Sequence, residues 1–221
     1  MTTPMSPRLV RGGFAQVQPS TGRVLRVIPF QYNADSVTRT LTPRGAGTEG
    51  GDRLEALRLA GPPQETIRCD VELDATDFLE FPDQNAGVAE NGLHAALALI
   101  ELLVSPRSQD LVAENAMAMA GTIEIAPAEA PLTVLVLGRN RVLPVRITEL
   151  SVAEEGFDTA LNPIRARLSL SMRTLTVDDL GYAHRGGLLS LARLRQAERF
   201  AASVPGATLG ALGLSAIEGG A

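Results

Sequence analysis

The stretch from Val142 to Val177 constrains the fold most, because it carries two long runs of alternating side chains joined by turn residues. In its second arm Ile164, Ala166, Leu168, Leu170 and Met172 share one side, and Arg165, Arg167, Ser169, Ser171 and Arg173 the other. Such a β-hairpin has one core face and one face for water or a neighbour. Past Met172 the next apolar residues, Leu175 and Val177, are out of phase by one residue, which predicts a bulge or bend. In the first arm Val145 and Ile147 share a phase that Leu150 and Val152 do not. Two long arms that bend at similar depth predict strands turning a corner between two packed antiparallel sheets.

Ahead of this hairpin, Arg8 to Gln18 and Gly22 to Tyr32 flank the turn cluster Pro19-Ser20-Thr21-Gly22 and read as an earlier hairpin. Val24 to Phe30 is apolar except for Arg26, which suits a strand covered on both faces over part of its length. Val37 to Thr42 reads as a short strand near an edge, since Arg39 shares the side of Val37 and Leu41. Residues 43–63 form a Gly- and Pro-rich flexible insertion around the short run Leu54 to Leu59. Glu65 to Asp74 alternates strictly, with Ile67, Cys69, Val71 and Leu73 inward.

Val88 to Val104 has Leu93, Leu97, Ile100 and Val104 at helical spacing and stops at Pro106. It is the one helix expected to pack on the sheets. An Ala-, Met- and Glu-rich connection follows, with a short strand at Thr122 to Ile125, then the apolar run Leu132 to Leu137, a central strand turned by Gly138 to Arg141. The chain therefore divides into a main β-domain, 1–177, and a C-terminal extension, 178–221. The extension is a helix from about Leu188 to Ala202 and a Gly/Ala-rich tail that is mobile or orders against a neighbour.

Composition narrows the function. No Trp and 4% aromatics disfavour binding by stacking, and a net charge of −5 with pI near 5.1 disfavours nucleic acid. A single cysteine, Cys69, excludes a disulfide framework and a cysteine-based zinc site. Met1 to Gly13 lacks the apolar stretch of a signal peptide, and Val88 to Val104 carries Glu90, Asn91, His94 and Glu101, so neither secretion nor membrane insertion is expected. The expected location is the cytoplasm.

Catalytic parts are few. His94 and His184 are the two histidines; the first reads as a helix-surface residue, the second as a loop residue without a partner. Cys69 reads as a small buried hydrophobe. Asp70, Glu72, Asp74, Asp77, Glu80 and Asp83 lack EF-hand spacing and suit a charged strand face running into a loop. Gly45-Ala46-Gly47 is not a phosphate loop. No catalytic, cofactor or metal residue is assigned. The arginine stripe Arg165, Arg167 and Arg173 suits a polar outer face or a subunit contact better than an anion site.

Phe30-Gln31-Tyr32-Asn33-Ala34-Asp35-Ser36-Val37 resembles a motif of tail-tube-like proteins from phage-tail-like contractile injection systems: aromatic, any residue, aromatic, Asn, usually Pro, two variable residues, then Leu or Val. Ala34 stands where Pro is usual. Glu149 to Thr174 is similar to the same family, through Glu154-Glu155-Gly156-Phe157-Asp158 and Leu161-Asn162-Pro163-Ile164-Arg165-Ala166. Ile67 to Asp77 resembles the family's central strand and lies between them in the expected order. The resemblance implies a mainly β (α+β) domain of barrel-like form with one helix, a structural protein without catalysis. It implies a ring, commonly six-fold, at the inner tube or the tube–baseplate junction, with copies of itself and other tube or baseplate proteins as partners. A cell-wall-binding LysM module, present in some members, is not matched by the segment after Val177. The candidate assembly interface is Arg165, Arg167, Arg173, Glu154, Glu155, Phe157 and Asn162. Two other classes fit the residues less well: a split-barrel enzyme or binding protein holding a cofactor such as a flavin, and an adaptor that binds tube subunits transiently.

Overall fold

The chain alternates short apolar-in, polar-out segments, and these form seven strands: β1 (Gly13–Val17), β2 (Val24–Pro29), β3 (Val37–Thr42), β4 (Gln64–Asp74), β5 (Leu132–Val136), β6 (Val142–Phe157) and β7 (Pro163–Thr174). The computed structural model describes residues 10–45, 58–120, 129–213, 215 and 217. Every neighbouring pair is antiparallel, and the strands make a single sheet in the order β2-β1-β5-β6-β7-β4-β3. This corrects the two-sheet expectation. The outer strands β2 and β3 are not paired with each other, so the sheet does not close into a barrel.

The sheet is nevertheless rolled. The Gln31 side chain, two residues past β2, donates to the Asp74 carbonyl (2.6 Å) and accepts from the Asp74 amide (2.9 Å) at the end of β4. In a flat sheet those strands would lie roughly 24 Å apart, whereas two residues span at most about 7 Å. Curvature therefore brings β2's end over β4. Alternation along the strands reports which face is inward in either case, so it does not separate two packed sheets from one rolled sheet.

The inner face holds Phe14, Ile67, Leu135, Leu143, Leu168 and Met172, all nearly inaccessible. In β7 the alternation runs unbroken to Thr174, and the expected bulge after Met172 is absent. Thr174 is buried in phase, with its hydroxyl 3.3 Å from the buried Glu65 carboxylate, so a polar pair continues the core row. The bend expected in the first arm is present: Ile147 faces Met172 and Glu149 faces Ser171, leaving Thr148 as the extra residue of a bulge.

The expected helix over Val88 to Val104 is broken. Its residues contribute to α2 (Ala86–Asn91) and α3 (His94–Glu101), which follow the one-turn α1 (Thr76–Leu79). Gly92 separates them at φ 55°, and a Cβ there would lie 2.6 Å from the Pro163 carbonyl oxygen and 2.9 Å from the Asn162 Cβ. Close packing on the hairpin thus both requires glycine and ends the helix. Leu93, Leu97 and Ile100 are buried as expected. The following connection contains α4 (Ser108–Met119), none of whose residues is buried. The expected strand Thr122 to Ile125 and most of the run Leu54 to Leu59 lie outside the described residues.

After β7 come α5 (Val177–Leu180) and α6 (Arg185–Ser203). Thr176 and Asp179 form a capping box that starts α5. Three side chains hold α6 to the body: Arg185 donates to the Thr21 carbonyl (3.0 Å), Arg193 pairs with Glu65 (2.8 Å), and Gln196 donates to Asn140 (3.3 Å).

Candidate assembly interface

The β6–β7 hairpin is registered from Val145 opposite Thr174 to Phe157 opposite Pro163. On β7's far side β4 is paired along nearly the same length, from Thr66 to Asp74. On β6's far side β5 is short and covers only Val142 to Val145. Beyond Val145, and as far as Phe157, no described residue hydrogen-bonds the outer edge of β6. Three strand edges are therefore open among the described residues: β2, β3 and this longer part of β6.

The outer face of β4, β7 and β6 is a ladder of polar side chains. Glu72 stands opposite Arg167 and Asp74 opposite Arg165, with ion pairs of 2.9 Å each, while Asp70, Ser169 and Ser151 line up in the middle. Hydrogen bonding to Glu72 raises the Arg167 guanidinium above its ordinary value. The Asp74 carboxyl is held below its usual range, chiefly by the Thr76 hydroxyl (2.6 Å), with Arg165 adding to it. The Glu72–Arg167 and Asp74–Arg165 charges neutralise one another locally, while Asp70 and Glu149 on the same face have no side-chain ion pair among the described residues, so the face is polar and hydrated.

The candidate residues separate into three groups. Arg165 and Arg167 are exposed members of the ladder, and Glu155 faces Arg165 across the hairpin. Glu154 and Phe157 are exposed near the hairpin tip, Phe157 at 49%. Arg173 and Asn162 are used inside the chain. Arg173 pairs with Asp179 at the start of α5, and its Nε is buried without a hydrogen-bond partner. Burial pushes the Asp179 carboxyl up, but Thr176 and Arg173 outweigh it and hold the group low. Asn162 donates to Asp158 (2.8 Å) and to the Glu90 carbonyl (3.1 Å), so it fastens the tip to α2. Asp158 also accepts from the amides of Ala160 and Asn162, and its carboxyl is held low, the Asn162 amide being the main cause.

Sequence reasoning missed four features. Leu161 closes the tip at φ 63° with 77% of its surface exposed, a conformation that costs a non-glycine residue about 1–2 kcal/mol. The Phe30–Asn33 motif is a fastening: Phe30 packs edge-on against Phe14 (5.3 Å), Gln31 bridges to Asp74, Tyr32 donates to Asp77 (2.9 Å), and Asn33 bonds the Gly12 amide (2.7 Å) and Val10 carbonyl (3.0 Å). Glu65, almost wholly buried, is shared by Arg39, Arg193 and Thr174. Its in-phase position before Ile67 was the available signal. Lastly, β2 is an edge strand, not a doubly covered one: Val24, Leu25 and Val27 are exposed. β1 pairs with it on one side, and no described strand pairs with the other.

Of the other residues weighed, His184 accepts from the Gly186 amide (3.1 Å) as the α6 cap, and His94 is exposed at the start of α3. Cys69 is buried, and desolvation, with Asp70 adding to it, pushes its thiol up to about 11. Among the described residues no His, Cys, Asp or Glu group has metal-binding geometry, and no helix is long and apolar enough to cross a membrane.

No protein-family model matches this chain, and no curated protein matches it in sequence. Among solved structures, a chain from the tail of an empty GTA particle with C6 symmetry is similar to 74% of this chain and 90% of its own length, with TM-score 0.28 and 11% identity.

Proposed function

We propose that this chain is a structural subunit of a phage-tail-like contractile injection particle, without catalytic activity, that joins copies of itself into a ring at the inner tube or the tube–baseplate junction. The carrying observation is the hairpin. β6 runs far past its neighbour β5 and leaves main-chain donors and acceptors open as far as Phe157. A ring subunit fills such an edge with its neighbour's strand. Beside that edge lies the polar face of β4, β7 and β6, with its Glu72–Arg167 and Asp74–Arg165 pairs, which suits the wall of a water-filled channel. The Phe30–Asn33 and Leu161–Ala166 motifs, through which the chain resembles tail-tube-like proteins, fasten the roll and the hairpin tip. Such a protein would be made in the cytoplasm and reside in the assembled particle, beside other tube or baseplate proteins.

The test is to image native particles from strains with and without the gene and to look for the chain in purified particles by mass spectrometry. Incomplete or missing tubes in the deletion strain are expected. Normal particles lacking the chain would overturn the reading.

A further inference from the structure

A free strand edge needs a mate, and we propose that the open edge of β6 pairs with β2 of a second copy of this chain. This rests on the ring reading and adds to it which two surfaces meet. Charge selects β2. From Ile147 to Asp158 the edge and its turn carry Glu149, Glu154, Glu155 and Asp158 and no Lys or Arg. Residues 1–34 contain no Asp or Glu, while Arg23 and Arg26 lie beside and within β2, and Arg11 precedes β1. Arg23, Arg26, Glu149 and Glu154 have no side-chain ion pair among the described residues. The other open edge, β3, offers no such complement: its one charge, Arg39, is bound to Glu65, and Thr38, Thr40 and Thr42 are neutral.

Apolar surface selects the same strand. Val24 is 53% exposed and Val27 63%, on an edge that lacks a partner, while half-buried Leu150 and Val152 border the open side of β6. Pairing would cover both. Because β2 and the β6 edge are different surfaces of one molecule, the contact is head-to-tail, the kind that closes into a ring when the rotation per subunit divides a full turn. Arginine on one edge and glutamate on the other also disfavours β2–β2 and β6–β6 pairing, which would place like charges together.

Two single-cysteine chains, Arg26→Cys and Glu154→Cys, each carrying Cys69→Ala, test the pairing with a short bis-maleimide. Mixed, they should give a cross-linked dimer; either alone should give none. The chain with both cysteines should give a ladder of multimers, in solution or in particles assembled from it. Reversing charge on one side, by Arg23→Glu with Arg26→Glu or by Glu149→Arg with Glu154→Arg, should weaken self-association on the order of tenfold, and combining both pairs should restore part of it. An oligomer that forms without these cross-links, or cross-links confined within one chain, would overturn the pairing and leave the ring reading standing. A chain that stays monomeric and is absent from purified particles would overturn both.

Discussion

The β6–β7 and β1–β2 hairpins of this sheet differ in what their apolar residues are for. In β6–β7 the apolar side chains of the second arm alternate cleanly, and Ala166, Leu168, Leu170 and Met172 are all buried in the chain's own core. In β1–β2 the apolar run is nearly continuous, yet of its members Ile28 and Phe30 are buried while Val24, Leu25 and Val27 face solvent. Alternation reports on the chain's own interior. An unbroken apolar run at a sheet edge reports a surface in excess of what that interior uses, and such a surface suits another chain.

The largest break in the comparison comes from the interior of the long hairpin. Leu168→Asp buries an unpaired carboxylate between Val71 and Val152 and should cost about 4 kcal/mol or more, preventing recovery of folded monomer. Arg167→Glu, next to it on the outer face, should leave a folded monomer by circular dichroism. Equal loss in both would show that the two faces are wrongly assigned.

Next is Glu65→Gln, which leaves Arg39 and Arg193 facing each other with a neutral partner and should cost about 3 kcal/mol in urea unfolding. Hydrogen exchange should show α6 loosening before the sheet. Gln31→Ala removes both bonds to Asp74 and should cost about 1–2 kcal/mol, loosening the short hairpin from β4 while β6–β7 protection stays. A smaller effect is expected from acid. Asp74 and Asp179 are held low in the folded chain, so their contribution is present above the unfolded carboxyl value of about 3.9 and is lost as pH falls below it. The melting temperature should drop between about pH 4 and pH 2, and Asp74→Asn should flatten that drop. Smallest is Val27→Thr in the edge strand, within about 0.5 kcal/mol of neutral for the monomer. A large loss there would mean that β2 serves this chain's own core after all.

The strands were legible in the sequence wherever a core face alternates with a wet one, which covers β4, β7 and the bulged β6. Thr174 was not legible as a core residue, because its burial depends on Glu65 and, through it, on Arg193 far along the chain. Gly92 was visible inside a helical pattern, but its close approach to Pro163 was not. Sheet curvature left no trace in the periodicity. Of the candidate interface, Arg165, Arg167, Glu154, Glu155 and Phe157 are at the surface, whereas Arg173 and Asn162 answer to neighbours in the same chain that only tertiary structure supplies.

The strand order also sets a timetable. β1 and β2 leave the ribosome well before β5, which is β1's other neighbour, with Gly13 opposite Val136 and Val17 opposite Leu132. At ordinary synthesis rates the early hairpin waits roughly 5–20 s for that strand. During the wait both of its edges are bare and its apolar residues are uncovered, the state in which nascent chains on one message stick to each other. Arg11, Arg23 and Arg26, with no acidic residue among them or as far as Ala34, would then act as guards, since hairpins of uniform positive charge repel. The same arginines would cease to guard only once the acidic edge of a finished subunit exists to receive them.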